Sequence, residues 1–192
     1  MKEEFTPAES EEFVRLLIKI QKNEYWVPSL EAWQEVQRTF SRWALELVVS
    51  DKNEKGEPAV LLSRYRGDGV PSHKGLFHIA GGFEKFPETI QESCSRIAKD
   101  ELGIDVEYRS VLDIHKWTPE ESPIGSHLLS VFVACRPLTA ITTDENRKFS
   151  TREEILALGP KDMAQNHPHR AFAEHYLQSL ESGVIPSPSR IV

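Results

Sequence analysis

The chain has 192 residues, 39% of them hydrophobic and 28% charged, and a formal net charge of −7. That is enough chain for one substantial core with peripheral helices, in an ordinary globular mixture. The negative balance excludes a broad face for a nucleic-acid polymer, but it leaves room for a local basic pocket that takes an anionic nucleotide. No run approaches the roughly 20 apolar residues needed to span a bilayer. The acidic N-terminus lacks an uninterrupted apolar core, so a cytoplasmic protein with no membrane partner is expected. Cys94 and Cys135 are the only cysteines. Two make neither a disulfide framework nor a thiolate cluster, and both fall in apolar patterns that read as core.

In chain order, residues 7–22 read as a helix. Phe13, Leu16, Leu17 and Ile20 recur at helical spacing, and Glu9, Glu11 and Glu12 lie near its positive end. Pro28 and Ser29 open a second helix that runs to Phe40 with Leu30, Trp33 and Val36 on its apolar stripe. Residues 1–40 thus form a helical extension that either covers the core or meets a homodimer partner. Residues 43–49 read as a buried strand, and residues 59–62 as its hairpin partner across a polar turn ending at Gly56. Residues 64–75 form an excursion rich in glycine and charge, and a short strand at 76–79 leads into Gly81 and Gly82.

Residues 81–88 read as a glycine turn feeding a helix over 87–102. Pro87 stands near its start, and Gly103 is a left-handed stop. Ile90, Cys94, Ile97, Ala98 and Leu102 line its buried side, and Glu88, Glu92 and Arg96 make a polar face at four-residue spacing. Further strands are expected over 106–114 and 127–135, a connection over 136–150, a short helix over 151–157 and a terminal helix over 166–180. The main domain is residues 41–186, and 187–192 form a flexible tail. Strands interrupted by a functional helix, with helices outside, favour an α/β (α+β) mixed-sheet sandwich.

Acids at both ends of the 87–102 helix suit a divalent ion held against phosphate oxygens. Ile97 stands one turn before Asp100 and Glu101, where a third acid would complete a metal-binding face. Gly82, Glu88, Arg96, Ala98, Asp100, Glu101, Gly103 and Ile104 fall at the offsets of one pattern. It runs glycine, five residues, glutamate, seven residues, then Arg-Glu-hydrophobe-x-Glu-Glu-x-Gly-hydrophobe. On these residues the chain resembles the Nudix hydrolases, with Ile97 and Asp100 as departures. Arg96-Ile97 and Glu101-Leu102-Gly103, with the 170–177 helix and the 182–186 end, make it similar to the GDP-mannose mannosyl hydrolase branch.

That resemblance implies a Nudix-like sandwich and a Mg²⁺ enzyme, with Mn²⁺ as a substitute ion. Its substrate would be a nucleoside diphosphate derivative, first of all a nucleotide sugar attacked at the anomeric carbon. Pyrophosphate cleavage of another nucleoside diphosphate compound and nucleotide binding with weak turnover are the alternatives. The implied metal ligands are the Gly81 carbonyl, Glu101, Asp100 (directly, through water or at a second ion) and Asn146. Asn146-Arg147 stands where the branch has a ligand and a histidine base, and Arg147 stays protonated and is no base. His115 matches a histidine that assists the leaving group. His127 also matches a branch residue, with a hydrogen-bonded core histidine as its plain reading. Glu46 matches an acid that faces the base, so it is a candidate acceptor for guanine; a solvent-facing edge position is the other reading. Arg64 and Arg66 are phosphate candidates or surface charges. Gly82, Glu88, Arg96 and Gly103 support the motif's geometry, with ordinary i,i+4 helix pairing as the alternative for Glu88 and Arg96.

Overall fold

A computed structural model describes residues 5–22, 29, 31–32, 35–36, 42–66, 73–85, 87–118, 121, 128–163 and 168–182. The chain divides into two compact units, Met1–Val36 and Gln37–Val192. In the first, α1 spans Pro7–Lys22. Thr6 and Glu9 close its start reciprocally, and Arg15 pairs with Glu12 on its surface. The expected second helix, the 187–192 tail, His127 and His167 lie wholly or largely outside the described residues.

The second unit is a mixed seven-stranded sheet between helices, as the sandwich expectation requires. Its strands are β1 (Arg42–Lys52), β2 (Pro58–Arg64), β3 (Phe77–His78), β4 (Ala80–Phe83), β5 (Val106–Lys116), β6 (Leu128–Pro137) and β7 (Arg147–Ser150). Its helices are α2 (Ile90–Ile97), α3 (Arg152–Ala157) and α4 (Pro168–Ser182). One edge of β1 runs parallel to β6 from Arg42 to Val49. Its other edge is shared: β4 pairs with residues 44–47, and β2 takes over only at residues 50–52. β7 pairs with the opposite edge of β2 over residues 60–63, and β3 pairs with β2 at Ser63 and Arg64. The end of β2 and the start of β7 thus come together.

Alternation along β1 assigns its two faces. Leu45, Leu47 and Val49 join Cys94, Ile97, Leu102 and Val133 in one core beneath α2. Val48 joins Phe132, Ile79, Met163, Ala173 and Leu177 in a second core beneath α4. Both cysteines are buried and free.

Three local expectations change. The glycine pair is not a turn: Gly81 and Gly82 lie in β4, and neither has positive φ. They are small because neighbours approach from opposite faces. A Cβ on Gly81 would stand 1.9 Å from Glu46 Oε2, and one on Gly82 would stand 3.2 Å from Ile97 Cγ1. The helix starts later than expected, at Ile90, with Thr89 as its cap. Thr89 and Glu92 form a capping box, so Glu92 serves the helix start rather than Arg96, and Ile90 is exposed. The stretch read as a connection over 136–150 ends in β7, a strand that alternation over four residues was too short to reveal.

Candidate functional site

The acid-bearing element is not a plain α-helix. After Ile97 the chain widens into a π-helical turn, Ala98–Leu102, closed by Gly103 at φ 67°. The wider turn sets Lys99, Asp100 and Glu101 at angles that a 3.6-residue period does not give. Ile97 is 2% exposed and packs toward Gly82 in the core. Glu88 precedes the helix and is gripped by Arg96 through two bonds of 2.7 Å. Ser93 Oγ adds a third at 2.8 Å, and Arg96 also reaches the Phe83 carbonyl at 2.9 Å. The guanidinium holds the Glu88 carboxyl down at about 2. Glu88 and Arg96 therefore tie the end of β4 to α2.

The π turn forms one wall of a cleft of about 530 Å³. The end of β2, Lys74 and Gly75, and the loop before β7 form the others. Asp100, Glu101, Asn146, Arg147, Arg64, Arg66 and Gly103 all line it. Sequence reading missed Lys74, Lys99, Tyr65 and Asp144. Lys99 was legible as the neighbour of Asp100, whereas Lys74 is brought in only by the closing of the 64–75 excursion. Five of the lining groups are basic and three acidic, so a chain of negative net charge carries a cationic cleft with an acidic rim.

The arginines are braced rather than loose. Arg66 donates to the Asp100 carbonyl at 2.7 Å. Arg147 donates to the Leu102 carbonyl and lies 3.4 Å from Asp144. Asp144 Oδ1 accepts the backbone N–H groups of Asn146 and Arg147 at 2.7 and 2.8 Å. The Asn146 N–H is the leading cause holding Asp144 below the usual carboxylate range. Arg64 donates to the carbonyls of Glu145 and Gly75 at 2.9 and 2.5 Å. Its guanidinium carbon also stacks 4.2 Å above the Phe77 ring. Arg64 is thus a staple between β2, the excursion and the loop before β7.

Three ligand or catalytic candidates do not line the cleft. Gly81 lies in β4, which packs against the π turn without entering the lining. Glu46 is neither at an edge nor in the cleft. It sits in the central strand at 5% exposure and accepts a hydrogen bond from Ser130 Oγ at 2.8 Å. A buried position filled by protein groups leaves no space for a guanine ring. His115 does not line the cleft. Its Nε2 lies 2.9 Å from Glu121 Oε2, and its ring meets Phe172 of α4 at 6.1 Å. The sheet period separates it from Asp100 and Glu101, which no linear spacing could show. The buried His169 stands near the start of α4.

Among the described residues, no three His, Cys, Asp or Glu side chains form a metal-holding group. Two neighbouring carboxylates and β4 packed against the π turn still fit Mg²⁺, which keeps waters and accepts phosphate oxygens as ligands. The donor set is therefore that of an ion shared with substrate.

No protein-family model matches the chain, and no curated protein matches it. Solved structures do. A NUDIX hydrolase from Nitrosomonas europaea has a TM-score of 0.56 at 14% identity, covering 74% of this chain and 73% of its own. A C. elegans Ap4A hydrolase has a TM-score of 0.54 at 15% identity, with coverages of 75% and 98%. A UDP-X diphosphatase has a TM-score of 0.53 at 14% identity, with coverages of 94% and 86%. These likenesses show the fold: the chain has the architecture of the Nudix hydrolases.

Proposed function

We propose that the protein is a Mg²⁺-dependent hydrolase of a nucleoside diphosphate derivative, with a nucleotide sugar as the preferred class. The observation that carries this reading is the cleft itself, in which Asp100 and Glu101 on the π turn stand among Arg66, Lys74, Lys99 and Arg147. Such a pairing of hard oxygen donors with cations suits a diphosphate and its metal. The structural neighbours include proteins named for Ap4A and UDP-X, which supports the general ligand class. Similarity of the motif to the GDP-mannose mannosyl hydrolase branch supports the sugar.

Glu101, Asp100, Asn146 and the Gly81 carbonyl would hold the metal, which supplies charge neutralisation to the leaving diphosphate. Arg66, Lys74 and Lys99 orient the phosphates. Arg147 braces the π turn through Leu102 and presents charge to the same cleft, but it takes no proton. Arg147 stands where the similar branch has its histidine base, and no histidine lines the cleft among the described residues. That absence favours a second reading, water attack at phosphorus, in which metal and cations carry more of the catalysis. A product-resolved screen of nucleotide sugars and dinucleotide compounds, with and without Mg²⁺, tests both. Free sugar plus nucleoside diphosphate marks attack at carbon. Nucleoside monophosphate plus a phosphorylated partner marks attack at phosphorus. Tight Mg²⁺-dependent binding with no product above a metal-free control marks a binding protein.

A further inference from the structure

Glu46 lies outside the cleft and is buried in the central strand β1. A carboxylate buried in a central strand is costly unless its neighbours repay the lost hydration. Each Glu46 oxygen has a polar neighbour. Ser130 Oγ donates to Oε1 at 2.8 Å and itself accepts from Trp117 Nε1 at 2.9 Å. His169 Nε2 stands 3.3 Å from Oε2. The Ile79 N–H donates to His169 Nδ1 at 3.3 Å, so in the neutral ring the proton sits on Nε2, facing Glu46. Burial keeps that ring neutral by lowering its pKa to about 3.

These contacts converge on a single segment. His169, near the start of α4, holds the backbone of Ile79. Two residues later, Gly81 lies against the Glu46 carboxylate, which fills the place of its missing side chain. The same segment continues as β4, which packs against the π turn that carries Asp100 and Glu101. The His169 ring also stacks on His78 at 6.0 Å and 20°. His78 Nε2 lies 3.3 Å from Ser63 Oγ, and Ser63 is part of the cleft wall.

We propose that Glu46 and His169 are positioning residues that lock residues 79–82 between β1 and α4, and so fix the β4 backbone that packs against the π turn carrying Asp100 and Glu101. The proposal rests on the reading of the Gly81 carbonyl and the π-turn acids as metal ligands. An apolar pair of similar volume would pack the second core without the desolvation cost, but it would not grip the Ile79 N–H.

Hydrogen exchange by mass spectrometry on the metal-free full chain, in chelator, tests the pair directly. Wild type is compared with His169→Ala, His169→Asn and Glu46→Gln. His169→Ala should speed exchange of the peptide covering 79–83 by tenfold or more, while the 131–135 peptide of β6 and the α2 peptide keep their rates. His169→Asn restores an acceptor for the Ile79 N–H and should recover most of that protection. Glu46→Gln keeps the shape and should give an intermediate effect. His169→Ala and Glu46→Gln should also raise the Mg²⁺ concentration needed for half of the metal-induced thermal shift, by at least threefold for His169→Ala, while His169→Asn should stay near wild type. A uniform acceleration of all peptides, or none at 79–83, overturns the proposal and leaves the pair as ordinary core. If wild type shows neither a Mg²⁺-induced shift nor turnover, the functional reading fails, while the exchange pattern still decides whether the pair positions this segment.

Discussion

Gly81→Ala perturbs this region without substituting any charged residue. The added Cβ would stand 1.9 Å from Glu46 Oε2, 2.8 Å from its Cδ and 3.2 Å from the Leu45 carbonyl. The strand cannot yield easily, because β1 is bonded to β4 on one edge and to β6 on the other. The carboxylate must therefore turn away, and it leaves Ser130 without its acceptor in a buried site. Overpacking costs about 1–3 kcal/mol, and a broken buried hydrogen bond costs about 1–3 kcal/mol more. We expect a destabilisation of about 3 kcal/mol, or a fall in Tm of about 6–12 °C for a domain of this size. Urea unfolding followed by circular dichroism measures it. The decisive comparison is the same substitution in a Glu46→Ala background, where the Cβ enters vacated space. There it should cost about 1 kcal/mol or less, giving a coupling of about 2 kcal/mol across the cycle. Equal costs in both backgrounds would refute the account, and the glycine would then be required by something other than the buried acid.

Glu101→Gln should keep the fold and remove most Mg²⁺-dependent turnover, with Asp100→Asn milder; an equal or larger loss at Asp100, read by Mg²⁺ titration of rate, would reverse their ranks. Arg147→Ala should raise KM by about tenfold, the scale of one lost charge-assisted contact, without deleting a limb of the pH–rate profile; loss of a single ionisation in kcat at constant KM would contradict it. Glu88→Gln should lower stability at pH 7 by about 1–3 kcal/mol through the loss of charge-assisted bonds to Arg96. The sign follows from the depressed pKa of about 2: the contribution is complete above the unfolded carboxyl range and is lost as pH falls toward 2. Wild type and Glu88→Gln should therefore converge in urea midpoints between pH 5 and about pH 2, and a constant gap would show that packing, not charge, holds Glu88.

Much of this protein was legible without coordinates because its signals are local. The 59–62 hairpin partner, the stop at Gly103, the cap-rich start of the 151–157 helix and the terminal helix depend on neighbours a few residues away. So do the motif offsets that set Glu88, Arg96, Asp100 and Glu101 along one short stretch of chain. Burial of Ile97 followed from its apolar neighbours at helical spacing. What the linear pattern could not decide was everything set by approach between distant segments. Gly81 and Gly82 read as a turn because glycine commonly marks one, yet here they answer to Glu46 and Ile97 pressing from opposite faces of a strand. The π turn adds a residue that no periodicity announces. Arg64, Arg66 and Arg147 become braces because the tertiary fold brings carbonyls from three segments within their reach. Glu46 and His115 resembled ligand-facing groups by position, but strand alternation and the packing of α4 put them on the other side of the sheet from the acids. Spacing fixes which residues share an element, whereas the face an element turns toward the site is chosen by the packing of the whole core.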